Sequence, residues 1–228
     1  AEYAIDTSVY KCSACGGSFE IQYDYESIGR RISRSTIQKR PLKSMWRYVE
    51  LMPVSPDRIV TLGEGFTPLV KANRLGRHIG ISELYLKLDF TCPTGSFKDR
   101  GSSLLISKAR EIGADTVAID SSGNAASSLS AYSTHAGLDS YIFMPSYASE
   151  GKLVQAAAGQ SHLIKVSGTR KETFETARSV IEKHGWYYCN FQINPFASEG
   201  SKTIAYEICE QLDWHPPQLI VFPVGSGS

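Results

Sequence analysis

The sequence predicts an α/β protein built on parallel sheets, and three observations support that prediction. From residue 115 onward, short apolar segments alternate with longer segments in which apolar residues recur at helical spacing. Most of the helical segments end at a glycine, which is a common helix stop. Strands that alternate with helices also need crossover connections, and these place helices against the faces of a parallel sheet. We therefore expect doubly wound parallel sheets.

The same patterns set approximate bounds for each element. Ligands of parallel sheets gather at the carboxyl ends of the strands, and the segments 121–124 and 225–228 each follow a predicted strand directly. The predicted strands are 19–23, 83–89, 116–119, 139–144, 161–166, 186–188 and 219–222, and the predicted helices are 102–112, 124–136, 149–158, 171–184 and 200–212.

One lysine, Lys98, has the surroundings of a reactive amine. It follows the predicted strand 83–89 and lies in a turn bounded by Gly95 and Gly101. Glycines let a backbone approach a ligand closely. Phe97 supplies apolar surface, which can lower the pKa of the amine and make it a nucleophile. A lone lysine is usually a surface charge, but this setting predicts a catalytic one.

The segment Pro93–Gly101 (PTGSFKDRG) resembles the lysine segment of pyridoxal-phosphate enzymes of the tryptophan-synthase β fold, most closely that of the threonine synthases. Three further segments resemble that family in the expected order: GEGFTPL at 63–69, SSGNAA at 121–126 and PVGSGS at 223–228. The resemblance covers nearly the whole chain, and the lysine and Ser-Gly-Asn motifs together are specific.

The resemblance implies pyridoxal 5'-phosphate as the cofactor and assigns a role to each motif. Lys98 would bind the cofactor and then move the α-proton, and Asn124 would hydrogen-bond the hydroxyl oxygen of the ring. A glycine-rich turn offers successive backbone N–H groups to a phosphate, although such a turn is often only a loop. A Ser-rich loop before a helix is also a common N-cap. The implied phosphate cradle is Gly225, Ser226, Gly227 and Ser228, and the implied substrate-carboxylate loop is Ser121, Ser122 and Gly123.

The resemblance also implies two doubly wound parallel-sheet domains of the tryptophan-synthase β type. We expect an amino-terminal arm at 1–57, a larger cofactor domain at 58–97 and 186–228, and a smaller α/β domain at 98–185. Because the resembling enzymes continue well past a loop like that at 225–228, we expect the carboxyl-terminal part of the larger domain to be missing from this chain.

Residues 191–203 depart from the threonine synthase pattern where the substrate phosphate is implied to bind. The family usually reads Asn-Ser-x-Asn-Pro-x-Arg-x-Glu-Gly-Gln-Lys-Thr, and this chain reads FQINPFASEGSKT. The arginine has become Ala197, while Lys202 is retained. We therefore expect a different substrate, or a different phosphate grip in which Lys202 takes part. Cys92 replaces an asparagine of the family, and we expect it to be a small buried thiol. Asp99 and Arg100 are expected to form a structural pair.

Three classes of function fit these residues. The first is a pyridoxal-phosphate lyase or synthase that acts on an activated amino acid at its β or γ carbon, as in the conversion of O-phosphohomoserine to threonine. The alternatives within this class are a synthase of a β-substituted alanine and an amino-acid dehydratase. The second class is a catalytically silent relative that binds the cofactor or a phosphorylated ligand as a sensor. The third is an α/β interaction domain with a zinc-holding amino end, which has no need of the Lys98 segment.

The composition gives no support for nucleic acid or a membrane as a binding partner. The chain has 228 residues, 42% of them hydrophobic, and a formal net charge of +1. These values give no global case for binding nucleic acid or an anionic membrane, and the basic stretch 30–43 is expected to be a solvated face. No apolar run approaches the ~18 residues of a spanning helix, and no signal peptide is visible. We expect a small amino-acid substrate as partner and leave a homodimer open.

The five cysteines indicate a reducing compartment. An odd number of cysteines without a secretion signal is typical of free thiols in a cytoplasm. Cys12 and Cys15 resemble half of a zinc knuckle, but a structural zinc takes four ligands and the first histidine is His78. We expect no metal, with these two cysteines as weak candidates for a site shared with another chain or for the remnant of a zinc ribbon.

Overall fold

The computed structural model describes residues 1–6, 10–148 and 150–224, apart from the side chains of residues 150–153. The amino-terminal arm contains two short α-helices and two 3-10 helices. Asp24 and Ser33 cap the α-helices with side-chain oxygens that accept from Ser27 N (2.9 Å) and Thr36 N (3.2 Å). The predicted strand 19–23 does not form. The four helices are α1 (Tyr25–Arg31), α2 (Arg34–Gln38) and the 3-10 helices Met45–Leu51 and Pro56–Arg58.

The next segment forms a two-stranded antiparallel ribbon. It consists of β1 (Leu69–Lys71), α3 (Asn73–Ile79) and β2 (Tyr85–Lys87), with a 3-10 turn at Asp89–Thr91. β1 pairs with β2, and Leu69 lies opposite Lys87. The predicted strand 83–89 is therefore shorter than expected, and its partner runs antiparallel to it.

A four-stranded parallel sheet follows, in the order β5-β4-β3-β6, with a helix in each crossover. The fold class predicted from the alternating pattern is confirmed. The elements are α4 (Lys98–Glu111), β3 (Thr116–Asp120), α5 (Asn124–Ala136), β4 (Asp139–Pro145), α6 (Glu150–Ala158), β5 (His162–Val166), α7 (Arg170–His184) and β6 (Tyr187–Tyr188).

The helix bounds follow from local stop and start signals. Gly137 and Gly185 end α5 and α7 with φ values of 70° and 67°, in the left-handed region that favours glycine. A capping box starts α7: the Thr169 side chain accepts from Glu172 N, and the Glu172 carboxylate accepts from Thr169 N. These signals are readable in the sequence, which explains the close match for these helices.

The division into domains stays a prediction. β6 belongs to the segment assigned to the larger domain, yet it pairs with β3, with Val117 opposite Tyr187 and Ala118 opposite Tyr188. The short strand thus joins the sheet of the segment assigned to the smaller domain.

The carboxyl-terminal region corrects two expectations. The helix expected at 200–212 is two helices, α8 (Pro195–Ser201) and α9 (Thr203–Gln211), because the Asn194 cap and Pro195 start a helix earlier. The strand expected at 219–222 does not form, and Leu219 and Val221 are 77% and 85% exposed. A strand needs a neighbour to take its backbone hydrogen bonds, and no segment among the described residues pairs with it.

The core joins the amino-terminal arm to the helices that frame the sheet. Trp46 Nε1 donates to Glu64 Oε1 (2.8 Å) and to Ser103 Oγ on α4 (3.0 Å), and Tyr132 on α5 donates to Glu64 Oε2 (2.6 Å). All four side chains are buried. The buried Glu64 carboxylate is therefore stabilised by hydrogen bonds from neighbouring side chains rather than by water. The arm is therefore joined directly to the middle of α4.

Two glycines let α4 pack closely against α8 and against the ring of Phe191, which precedes α8. A Cβ on Gly101 would lie 2.5 Å from Phe191 Cε1, and a Cβ on Gly200 would lie 2.2 Å from the carbonyl oxygen of Arg100. Both distances are shorter than any ordinary contact. Gly101, predicted to bound the lysine turn, therefore serves close packing of the helix that carries Lys98.

Replacing Gly101 with alanine is expected to lower the free energy of unfolding by about 1–3 kcal/mol, because the added methyl group overpacks this contact. Gly29 on α1 is the matched control, since a Cβ there meets nothing within 4 Å. Gly29→Ala should stabilise the protein by up to about 1 kcal/mol through helix propensity. Urea unfolding of both variants measures the difference, and equal effects of the two substitutions would contradict the role of this contact.

Candidate functional site

A cavity of about 350 Å³ opens at the carboxyl edge of the parallel sheet. Residues that follow β3, β5 and β6 line it, as do the first residues of α4 and α5. This is the edge at which ligands of such sheets bind. The lining residues are Lys98, Ile119, Asp120, Ser121, Asn124, Ala125, Arg170, Asn190, Phe191 and Gln192.

Lys98 is the first residue of α4 and reaches the cavity between two aromatic rings. Its Nζ lies 4.5 Å from the ring centre of Phe97 and 4.6 Å from that of Phe191. The residue is half-buried, and this burial lowers the pKa of its amine because desolvation disfavours the charged form. A larger fraction of the amine is therefore neutral, and hence nucleophilic, than in an exposed lysine.

The residue after Lys98 anchors the turn. Asp99 is fully buried, and its carboxylate accepts from Thr94 N (2.7 Å), from the Ser128 hydroxyl (2.6 Å) and from the Thr94 hydroxyl. Burial raises the pKa of Asp99, and these hydrogen bonds oppose that rise. The carboxylate ties the turn before α4 to α5, so the two helix starts that frame the cavity are held together.

Arg100 does not pair with Asp99, which corrects the expectation of a pair. Its guanidinium donates to Asp89 (Nη2 to Oδ1, 2.9 Å), to Glu207 on α9 (Nη2 to Oε2, 2.9 Å) and to Thr203 Oγ1 (2.9 Å). The guanidinium and Glu207 are fully buried. The two residues still have structural roles, but they act on different sides of α4, since successive helix residues point about 100° apart.

Two of the residues predicted to belong to the site, Ser121 and Asn124, line the cavity at the start of α5. Asn124 is the first residue of α5 and is exposed, and Ser121 is half-buried. Ser121 Oγ accepts from Gly123 N (3.3 Å), and Gly123 is the N-cap position. Ser122 lies in the same loop but, like Gly123, is not part of the lining. The predicted phosphate cradle, Gly225, Ser226, Gly227 and Ser228, lies outside the described residues.

Two buried side chains of the cavity, Asp120 and Asn190, were not predicted. Asp120 ends β3, and its carboxylate accepts from Asn190 Nδ2 (2.7 Å) and from the Tyr188 hydroxyl. Arg170, also unpredicted, donates from Nη2 to Asp120 Oδ2 (2.6 Å) and to the Asp120 carbonyl (2.6 Å). Asp120 directly precedes the Ser-Gly-Asn loop, so its position was visible in the sequence. Its partners lie 50 to 70 residues away, and no local signal connects them.

Lys202 does not line this cavity, and its assignment to substrate binding stays a prediction. It joins α8 to α9, pairs with Glu199, and places its Nζ 4.0 Å from the ring centre of Tyr23 in the amino-terminal arm. Tyr23 also donates to Glu199. The ammonium thus faces the arm because its carboxylate partner lies one helical turn back on the same side. Ala197 is buried on α8.

Cys12 and Cys15 lie in a tight amino-terminal turn. Cys12 N donates to Gly17 O (2.9 Å), and Gly16 N donates to Cys12 O (2.8 Å). Hydrogen bonds from the Ala14 and Cys15 backbone lower the pKa of Cys12 to about 7. Within residues 1–6, 10–148 and 150–224, three or more potential metal ligands do not come together anywhere. All five cysteines are free thiols, and Cys92 is buried as expected, with burial raising its pKa to about 11.

Comparison with known proteins gives a consistent result. A family model described as pyridoxal-phosphate dependent enzyme matches residues 60–228. The threonine synthase of Methanocaldococcus jannaschii is 41% identical over 226 residues, which cover 98% of this chain and 55% of that protein. The threonine synthase of Methanosarcina acetivorans is 39% identical over 227 residues, 99% of this chain and 55% of that protein. The chain thus spans about half the length of these curated relatives.

A solved structure shows the same fold. The processed form of threonine deaminase isoform 2 from Solanum lycopersicum superposes with a TM-score of 0.59 at 27% identity. The match covers 64% of this chain and 40% of the deaminase chain.

Proposed function

Because the chain belongs to the family of pyridoxal-phosphate dependent enzymes, we propose that it forms part of a lyase or synthase that eliminates or replaces a group at the β or γ carbon of an amino acid. The position of Lys98 carries this proposal. Its amine is half-buried between two aromatic rings, in a cavity at the carboxyl edge of the sheet, and its pKa is lowered. A solvated surface lysine would have none of these properties.

The residues of the cavity fit the cofactor. Pyridoxal phosphate, when bound, supplies an aldehyde that a lysine amine can attack and a ring that withdraws electrons from the substrate's α carbon. Lys98 offers the amine, and Asn124 offers an amide to a ring oxygen. The apolar edges of Ile119 and Phe191 line the same space. For the phosphate we propose the backbone N–H groups of residues 225–228, on the strength of the glycine-rich sequence alone.

The residues of this chain have separate tasks in the proposed reaction. Lys98 Nζ would take the proton from the α carbon, and its lowered pKa suits a base that must be neutral near pH 7. Ser121, with Ser122 and Gly123 behind it, would hold the substrate carboxylate at the amino terminus of α5, where the helix dipole favours an anion. Phe97 and Phe191 would keep water from the amine.

We propose a threonine synthase-like conversion of O-phosphohomoserine to threonine as the reaction, supported by the two relatives of that name. The second candidate is amino-acid dehydration, which the likeness to a threonine deaminase structure favours. The buried Ala197, where the threonine synthase pattern has arginine, is the observation that keeps this second candidate open.

The test is to supply the protein, in its natural length and with pyridoxal phosphate, with O-phosphohomoserine, O-phosphoserine, serine or threonine in separate reactions. We expect release of threonine and inorganic phosphate from O-phosphohomoserine. Release of ammonia and an oxo acid from threonine or serine would instead establish the dehydratase. An absorbance scan should also show the band of the lysine-bound cofactor. Its absence, together with no turnover of any of the four compounds, would leave the proposed function without support.

The remaining expectations about the whole protein belong to the same proposal. We propose a cytoplasmic enzyme whose partner is a small amino acid rather than nucleic acid or a membrane, and a homodimer is one candidate for its assembly. Five free thiols fit a reducing compartment. Among the described residues, no helix combines the length and apolarity needed to cross a bilayer.

A further inference from the structure

Arg170 reaches across the carboxyl edge of the sheet into the cavity. It is the first residue of α7, which follows β5, and it bonds to Asp120 at the end of β3. Strand β4 lies between those two strands in the sheet, so this bond connects segments that follow two non-adjacent strands. Asp120 is fixed in turn by Asn190 and Tyr188 at the end of β6. Three strand ends therefore determine where this guanidinium sits.

The Arg170 guanidinium is bonded to Asp120 through one nitrogen, and its side chain remains accessible to solvent. Both bonds to Asp120 come from Nη2, whereas a guanidinium carries five N–H donors. Within the described part of the chain, Nε and Nη1 of Arg170 make no hydrogen bond. The side chain is 51% exposed, while the Asp120 carboxylate beneath it is fully buried. The remaining donors therefore face the cavity and solvent, and are preorganised for a second oxyanion.

The bond to Asp120 leaves most of the Arg170 donors available to an anion. Among the described residues that line the cavity, Asp120 is the one carboxylate and Arg170 the one permanent cation, because Lys98 is proposed to act as a neutral amine. That carboxylate already accepts bonds from three side chains. An amino-acid substrate has one carboxylate, which the proposed function assigns to the loop at Ser121. Arg170 lies beyond a different strand and would have no partner on a substrate with a neutral side chain.

We propose that Arg170 is the specificity-determining residue of this site and binds an oxyanion, phosphoryl or carboxylate, at the side-chain end of the amino-acid substrate. Asp120 is its positioning residue. The proposal rests on the function proposed above and adds the residue that binds the anionic group at the side-chain end of the substrate. Arg170 would also provide the guanidinium that the threonine synthase pattern has at position 197, where this chain has a buried alanine.

The experiment measures affinity for two matched ligand pairs, O-phosphohomoserine against homoserine and glutamate against glutamine, as KM for a compound that is turned over and by calorimetry for the others. The protein is used in its natural length with pyridoxal phosphate present. Arg170→Gln should weaken binding of the anionic member of one pair about tenfold to a hundredfold, as expected for the loss of a charge-assisted hydrogen bond. Binding of the neutral member should change less than about threefold. Arg170→Lys should be intermediate because it keeps the charge but loses the planar donor pair. A loss of affinity for O-phosphohomoserine would identify the bound oxyanion as a phosphoryl group, and a loss of affinity for glutamate would identify it as a carboxylate.

Arg178→Gln is the matched control. Arg178 lies on the same helix, is 53% exposed and also pairs with a carboxylate, Glu182 (2.7 Å), but it is not part of the lining. The variant Arg178→Gln should leave the affinities for all four ligands unchanged. Equal weakening of anionic and neutral ligands by Arg170→Gln would show a merely structural role and overturn the proposal. No effect of Arg170→Gln, or no binding of either anion by the unmodified protein, would overturn it as well.

The absorbance band of the lysine-bound cofactor keeps the two proposals apart. Arg170→Gln should leave that band unchanged, because Arg170 is not assigned to the cofactor. Loss of the band in the unmodified protein would overturn the proposed function. The role of Arg170 would then still be decided by the calorimetric comparison of anionic and neutral ligands.

Discussion

Replacing Lys98 with alanine is expected to abolish the absorbance band of the lysine-bound cofactor and to lower turnover by at least about a hundredfold. The band requires an amine at this position, and removal of a positioned base alone costs about 10²–10⁴ in rate. Spectra and steady-state rates of the purified variant with added pyridoxal phosphate measure both effects. Borohydride reduction of the unmodified protein, followed by peptide mass spectrometry, should place the cofactor label on Lys98.

Lys108→Met is the control for this variant. Lys108 lies on the same helix and also packs against an aromatic ring, Phe196 at 5.2 Å, but it is outside the cavity. The variant Lys108→Met should retain the absorbance band of the lysine-bound cofactor. If Lys98→Ala keeps the band, or if reduction labels another lysine, the assignment of Lys98 is wrong.

Replacing Arg100 with methionine is expected to lower the free energy of unfolding by about 3–5 kcal/mol. The fully buried guanidinium bonds to Asp89 and to the fully buried Glu207. Its removal leaves uncompensated carboxylate charge in the interior, and the loss of one partner from a buried ion pair typically costs this much. Lys87 also bonds to Glu207 at 2.6 Å and limits the loss. Denaturant unfolding with two probes measures the change.

Arg178→Met gives the corresponding measurement for an exposed pair. Arg178 and Glu182 are 53% and 62% exposed, and surface pairs of this kind contribute about 0.2–1 kcal/mol. A loss below about 1 kcal/mol for Arg100→Met would show that the interior around Glu207 is better solvated than its burial indicates.

The candidate site was predictable where a single stretch of sequence carries the information. Lys98 lies between glycines at the start of a helix, and Asn124 opens the next helix after a strand. Both features depend on turn chemistry and periodicity within about 15 residues. Both residues line the cavity.

The Asp120 cluster was not predictable in the same way. Asp120, Arg170 and Asn190 come from three separate segments, and they meet only because β3, β5 and β6 end at one edge of the sheet. The contacts of Lys202 were not predictable either. Its sequence context predicts a substrate contact, which stays a prediction, whereas its pairing with Glu199 and its position near the ring of Tyr23 became visible only in the structure.

The sequence by itself determined the α/β class, most helix bounds and the position of the candidate lysine at the start of a helix, because periodicity, caps and glycine stops act over one or two turns. Only the tertiary structure decided the strand order, the separate partners of Asp99 and Arg100, and the arginine held over the cavity. The same limit explains the apolar segment at 219–222, which has the composition of a strand but finds no neighbour among the described residues. Pairing between distant segments depends on which surfaces are buried together, and a local pattern does not contain that information.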